Sequence, residues 1–226
     1  MKKILIWILL FNVVIFSNEI DMLKQMDDSK YEENAVNFFL DTIRKKNNLL
    51  VINILDMEKN RQARQQTVKE GTYGPEIAPR QFRTQLTVNS RNKLGYTPII
   101  VAIESGNNEM LAELLKRGAS VYEKHPVFGR LALHTACYYG NAEAVKILLD
   151  HNKNIVNYQS DNDGWTPLDD AVLKGNIQIV KLLIEYGADP RVPNFKDETP
   201  IDMATKFGKG EIVKLLRDQD KKLHWN

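Results

Sequence analysis

Apolar residues fall at helical spacing in four segments of the second half of the chain. Met110, Leu111, Leu114 and Leu115 form the first set, and AVKILL from Ala144, IVKLLI from Ile179 and IVKLL from Ile212 repeat it. Spacings of three and four residues line up one apolar stripe, which predicts an amphipathic helix in each segment. Leu182 lies within the third set and is expected in the core. A shorter segment precedes each helix: Thr97-Pro98-Ile99, Leu131-Ala132-Leu133-His134, Thr166-Pro167-Leu168 and Thr199-Pro200-Ile201, at steps of 34, 35 and 33 residues. Ala102, Ala136, Ala171 and Ala204 follow at one fixed offset, and Gly106, Gly140, Gly175 and Gly208 at another.

These positions describe one helix-turn-helix unit used four times. Thr suits the N-cap, and Pro suits the first helical position, where its missing N–H is not needed. The alanine allows two helices to approach, and the glycine can take the left-handed conformation that ends the first one. Glu109, Glu143 and Glu211 then stand in the first turn of a second helix, where negative charge is favourable, with Gln178 in the equivalent place. One such pair cannot bury its own apolar face, so neighbouring units must stack.

The Thr-Pro, Ala and Gly positions and the second-helix pattern together resemble the ankyrin repeat, whose signature includes T-P-L-H-x-A at a period of 33. The resemblance covers roughly residues 92–218. It implies an all-α solenoid of stacked helix-turn-helix units with short hairpin-like turns: four recognisable repeats plus a degenerate N-terminal capping helix pair. Departures are local. Only His134 keeps the motif's histidine, replaced elsewhere by Ile100, Asp169 and Asp202; Leu131-Ala132 stands for Thr-Pro; Asp197 stands where a glycine is usual. The place of His134 in the motif implies a capping and inter-repeat hydrogen bond.

Upstream, Phe38 to Arg44 and Val51 to Leu55 flank the polar turn Lys45 to Asn48, the same rhythm without Thr-Pro. Residues 31–57 are therefore expected to cap the stack as a degenerate repeat, and 92–226 to form the ankyrin-repeat domain. Between them, 58–91 is expected to be a basic insertion loop. From Glu58 to Lys93, Lys59, Arg61, Arg64, Lys69, Arg80, Arg83, Arg91 and Lys93 outnumber Glu58, Glu70 and Glu76, and Gly71, Gly74, Pro75 and Pro79 interrupt any long helix. Residues 18–30 read as a polar linker. Residues 1–17 carry Lys2 and Lys3, an apolar run from Ile4 to Phe16 and then Ser17. This is the layout of a signal peptide, and the run is shorter than the roughly 20 residues that span a bilayer. The expectation is cleavage near Asn18, an extracytoplasmic protein (periplasmic or secreted), and no membrane span in the mature chain.

Composition narrows the function classes. The chain has 226 residues, 31 Lys plus Arg against 29 Asp plus Glu, and a single cysteine, Cys137. A charge so close to balance lacks the field of a nucleic-acid binder, and one cysteine forms no intramolecular disulfide. His125, His134, His151 and His224 show no metal-ligand spacing, and no GxSxG, GxxxxGK[ST] or CxxC is present. Asp161-Asn162-Asp163-Gly164 resembles a calcium loop, but Val172 stands where its bidentate acid belongs, so it reads as a turn. No catalytic residue, metal or cofactor is expected, and Cys137 reads as a packing residue.

The resemblance also implies where a partner would bind, since ankyrin stacks commonly use the turn before each Thr-Pro and the exposed side of each first helix. Carried over position by position, that face holds Tyr96, Phe128, Arg130, Tyr138, Tyr139, Trp165, Lys174, Phe195, Glu198 and Lys206, with Phe207 beside them. Aromatic residues and Arg are what binding hot spots favour. The expectation is an exported, non-enzymatic protein that binds another protein through its concave groove, as a scaffold or by masking an enzyme or toxin. Two alternatives stand beside it: an enzyme with its site in 31–90, and a cytosolic scaffold with an uncleaved apolar N-terminus.

Overall fold

The structure is a computed structural model, and it describes residues 28–69 and 86–224. Among them are ten α-helices and no strand: α1 (Asp28–Arg44), α2 (Asn48–Lys69), α3 (Pro98–Glu104), α4 (Asn108–Lys116), α5 (Ala132–Tyr139), α6 (Ala142–His151), α7 (Pro167–Lys174), α8 (Ile177–Glu185), α9 (Pro200–Lys206) and α10 (Gly210–His224). They pair as α1·α2, α3·α4, α5·α6, α7·α8 and α9·α10. The first members stack in the order α1, α3, α5, α7, α9, and α4, α6, α8 and α10 stack behind them. This is the all-helical solenoid that the repeat pattern predicts.

The local chemistry explains the boundaries. Each first helix of the four repeats begins where Thr-Pro or Leu-Ala places it, although only Thr166 and Thr199 close a full capping box, with Asp169 and Asp202. Thr97 has the extended N-cap backbone but no capping bond, and its buried Oγ1 has no partner. The glycines that follow take φ of 61°, 73°, 70° and 65° at Gly106, Gly140, Gly175 and Gly208, as a left-handed helix exit requires. Asn107, Asn141 and Asn176 then cap the second helices, each accepting from the backbone N–H three residues on at 3.0–3.2 Å.

One continuous core runs through the stack. Ile99, Ile103, Leu111, Leu114, Leu133, Leu148, Val180 and Leu183 are all essentially solvent-free within it, as is Cys137. The register differs from expectation at one point. Leu183 is fully buried on α8, whereas Leu182 is only partly buried and packs against the core from its edge.

The N-terminal pair packs on the stack through α1 and α3, with Phe39, Ile43 and Val51 fully buried. A second difference lies here. Helix α2 continues to Lys69, so the stretch expected as a loop from 58 begins as helix, and Leu86 and Val88 return to pack on the core. The helix is longer than the pattern suggested because residues 58–69 contain no Gly or Pro to stop it. Leu55, Asp56 and Lys59 of α2, Lys116 and Arg117 at the end of α4, and Leu86 and Val88 line a cleft of about 730 Å³. Expectations for residues 1–27 and 70–85, the signal peptide and the middle of the insertion included, lie outside the described residues.

Candidate functional site

Four turns project beyond the first helices, and a left-handed residue stands two places before each helix N-cap. Gly95, Gly129 and Gly164 adopt φ of 87°, 64° and 71°, and Asp197 reaches 57° in the fourth turn, where it replaces the glycine. Each turn is closed by a backbone bond across its base, Asn92 N–H to Tyr96, His125 to Arg130, Ser160 to Trp165 and Asn194 to Glu198, at 2.7–3.1 Å, and by a second from the left-handed residue back to the first of each pair. Adjacent turns are also tied together. Asn162 donates to the Phe128 carbonyl at 2.9 Å, and the Phe195 N–H donates to the Asp163 carbonyl at 3.0 Å.

The expected face divides into three clusters. In the first, aromatic rings run in sequence from Tyr96 to His125 (5.6 Å between centroids), His125 to Phe128 (4.6 Å), Phe128 to Tyr138 (5.9 Å) and Tyr138 to Tyr139 (5.7 Å). Phe128 is 42% and Tyr139 49% exposed, and Tyr96 and Tyr138 are half-buried. Lys174, exposed on α7, places its ammonium 3.9 Å from the Tyr138 ring centre, a cation–π contact joining two repeats.

The second cluster works inward. Arg130 lies 4.7 Å over the Trp165 ring and donates to Asp170 at 2.6 Å and Asp163 at 2.7 Å. Two of its N–H groups are thus paired with carboxylates of the next repeat. Asp170 is solvent-free, and its Oδ2 has no partner; burial pushes its carboxyl up while the Arg130 charge pulls it down. Trp165 is half-buried and packs against the core. Arg130 and Trp165 join the second turn to the third repeat, and so they contribute mostly to structure.

In the third cluster, Glu198 accepts from Lys206 at 2.6 Å, an ion pair that holds the Glu198 carboxyl below its ordinary value. Phe195 is 65% exposed with its ring against Gly164, and Phe207 is 41% exposed at the end of α9. Among the described residues, neither makes a ring contact with the first cluster.

Two features escaped sequence reasoning. His125 is 2% exposed at the centre of the first cluster, with Nε2 2.9 Å from Glu104 Oε1, and the same oxygen accepts from the Tyr139 hydroxyl at 3.1 Å. Burial alone would raise the Glu104 carboxyl, but the hydrogen bonds and charge of His125 and the bond from Tyr139 hold it below its ordinary value. Leu94 and Val127, 73% and 67% exposed, add apolar side chains at the tips of the first two turns. Both stand in turns, where an apolar side chain has no core to reach; that was the signal available in the sequence. Among the described residues, no group of three or more His, Cys, Asp or Glu could hold a metal ion. None of the described helices is long and apolar enough to cross a membrane.

Comparison with known proteins agrees with this geometry. Residues 119–194 match the family described as ankyrin repeats in three copies, and residues 94–125 match the ankyrin repeat. Protein phosphatase 1 regulatory subunit 27 of Mus musculus is 32% identical over 152 residues, which is 67% of this chain and 94% of that protein. Ankyrin repeat-containing protein YGL242C of Saccharomyces cerevisiae is 32% identical over 134 residues, 56% of this chain and 71% of that protein. Putative ankyrin repeat protein FPV031 of Fowlpox virus is 36% identical over 127 residues, 53% of this chain and 36% of that protein. The chain spans between 8% and 46% of the length of four of the relatives it matches, FPV031 among them. Ankyrin repeats imply a protein partner, and such proteins are typically non-enzymatic. On the helix pairs, the left-handed turns and a relative covered over nearly its whole length, this chain belongs to the ankyrin-repeat family.

Proposed function

We propose that this chain is an exported, non-enzymatic ankyrin-repeat protein that binds another protein through its concave groove and masks that partner, an enzyme or toxin outside the cytoplasm. The observation that carries the binding reading is the aromatic run from Tyr96 to Tyr139, in which Phe128 and Tyr139 remain 42% and 49% exposed although the core beneath them is closed. Exposed aromatic area of this kind is what a desolvated interface uses, and a folded monomer gains nothing from leaving it in water. The name of the mouse relative, a regulatory subunit of a phosphatase, supports a partner-modifying role over a catalytic one. Export rests on Lys2, Lys3, the apolar run of residues 4–16 and Ser17.

The test is capture from the native host with the wild-type chain and with the Phe128→Ala, Tyr139→Ala double variant, followed by mass spectrometry. A partner retained by the first and lost by the second supports the groove; a partner retained equally by both removes it. Inhibition of that partner's own activity would distinguish masking from scaffolding. The intact mass of the protein from the native host tests export, with a chain beginning near Asn18 expected.

A further inference from the structure

The turn of the second repeat contains an arrangement its neighbours lack. The His125 Nδ1 accepts the backbone N–H of Val127 at 3.2 Å and of Phe128 at 3.4 Å, while Nε2 lies 2.9 Å from Glu104 Oε1. With Nδ1 accepting, the imidazole proton must sit on Nε2, from which it is donated to Glu104. One buried ring therefore ties the turn that carries Val127 and Phe128 to helix α3, and through Glu104 to the hydroxyl of Tyr139 on α5. The third and fourth turns use carboxylate or amide oxygens for the same work: Asp163 Oδ1 accepts the Trp165 N–H, and Asn194 Oδ1 accepts the N–H groups of Lys196 and Glu198. Among the four described turns, only the second, the one that supplies the exposed aromatic edge, is held by an imidazole.

We propose that His125 is a proton-sensitive latch that positions Phe128 in the binding groove: neutral, it closes the turn, and protonated, it releases it. With Nε2 carrying its proton, Nδ1 holds the lone pair that can be protonated, and once protonated it is a donor facing two other donors. The ring itself need not leave. The imidazolium keeps Nε2–H on the Glu104 carboxylate, now as an ion pair, so the bonds that give way are those from Val127 and Phe128. The groups around the ring are Glu104 from α3, on whose carboxylate Arg44 of α1 and the Tyr139 hydroxyl of α5 also act, and the rings of Tyr96 and Phe128. Among the described residues Glu104 is the only anion at hydrogen-bond distance from the ring, and a carboxylate there favours the imidazolium over the neutral ring. That this alters partner binding rests on the groove reading above; the latch itself does not.

The experiment uses the free full chain. Long-range proton–nitrogen correlation should show His125 as the Nε2–H tautomer at pH 7.5. As His125 titrates, amide exchange at Val127 and Phe128, corrected for intrinsic pH dependence, should accelerate by about tenfold or more, as for a local opening, while the Leu133 and Leu148 amides stay protected. His125→Asn supplies an oxygen that can accept the same N–H groups and does not titrate, so it should hold the turn closed and abolish the response. An Nδ1–H tautomer at pH 7.5 would overturn the proposal. So would a ring that stays neutral at every pH at which the chain remains folded. Unchanged Val127 and Phe128 protection across the titration, or a response that persists in His125→Asn, would also overturn it. A groove that proved to bind nothing would leave each of these outcomes readable.

Discussion

His134 Nε2 lies 2.9 Å from the carbonyl oxygen of Trp165, a bond that crosses from the first helix of one repeat to the turn of the next. The ring is solvent-free, and its Nδ1 has no partner. Burial lowers its pKa to about 4 from an ordinary 6.5. The folded chain therefore holds this histidine neutral, and the stability so contributed is full above pH 6.5 and is lost as pH falls through 4. His134→Gln keeps an amide donor for the Trp165 carbonyl and has no such titration. Wild-type stability relative to this variant should drop by about 3 kcal/mol between pH 7 and pH 4, at 1.36 kcal/mol per pH unit. A difference that stays flat in denaturant melts at the two pH values would show that His134 is not held neutral.

Asp169 occupies the equivalent position one repeat later and has the opposite sign. Its Oδ2 accepts the N–H and hydroxyl of Thr166 at 2.8 Å each, but its buried Oδ1 has no partner, and burial raises its pKa from 3.8 to about 6. A carboxyl raised in the folded state stabilises below pH 3.8, and that contribution is lost as pH rises through 6. Asp169→Asn keeps the cap acceptor without a charge. It should gain on the wild type by up to about 3 kcal/mol between pH 4 and pH 7, the equivalent of the same shift. A variant that loses ground over that interval would mean the ionised carboxylate is the better cap.

Leu183 and Leu182 separate core from edge on α8. Leu183→Ala should cost about 2 to 5 kcal/mol, the range for a fully buried leucine, and uncouple the repeats on either side. Leu182→Ala, at a partly buried site, should cost roughly half as much or less, because neighbours and water fill the space left behind. Equal losses in denaturant melts would contradict this assignment of the helix face.

The repeat itself was legible because its marks are local. Thr-Pro starts a helix, glycine ends it, and an apolar stripe needs a neighbour, whatever the rest of the chain does. What the sequence withheld depends on angle or on distant partners. Leu182 and Leu183 belong to the same apolar run, and only the rotation of a nine-residue helix decides which faces in. Arg130 looked like a contact residue until Asp163, Asp170 and Trp165, all from the next repeat, used its charge and its plane. His125 stands where Asn92, Ser160 and Asn194 stand in the other turns, so periodicity places it, but its bond to Glu104 depends on a partner 21 residues away.

Asp197 offers a stabilising change. It sits at φ 57° where the other three turns have glycine, and a side chain in that region is strained. Asp197→Gly should raise stability by about 0.5 to 1 kcal/mol, since the strain removed slightly exceeds the added freedom of the unfolded chain. A loss of that size instead would indicate that the Asp197 side chain holds the fourth turn.

The two kinds of aromatic residue on the proposed binding face should respond differently to truncation. Phe128 and Tyr139 are near half exposed, so the Phe128→Ala, Tyr139→Ala double variant should keep folding stability within about 1 kcal/mol, as for two surface sites. Affinity for the partner captured from the native host should fall by about 2 kcal/mol or more, roughly thirtyfold, because truncated hot-spot rings leave their pockets unfilled. Trp165 reads from the sequence as the same kind of residue, but its ring is half-buried on the core with Arg130 stacked above it. Trp165→Ala removes that packing and the support beneath a guanidinium that pairs with solvent-free Asp170, so it should cost about 3 kcal/mol or more of folding stability, near the low end for a large aromatic. Its effect on the affinity of the folded fraction should be the smaller of the two. Denaturant melts and binding isotherms on the same three proteins decide the matter: a double variant that unfolds easily, or a Trp165→Ala chain that folds normally and binds poorly, would move the interface from the Phe128–Tyr139 edge to the Arg130–Trp165 seam.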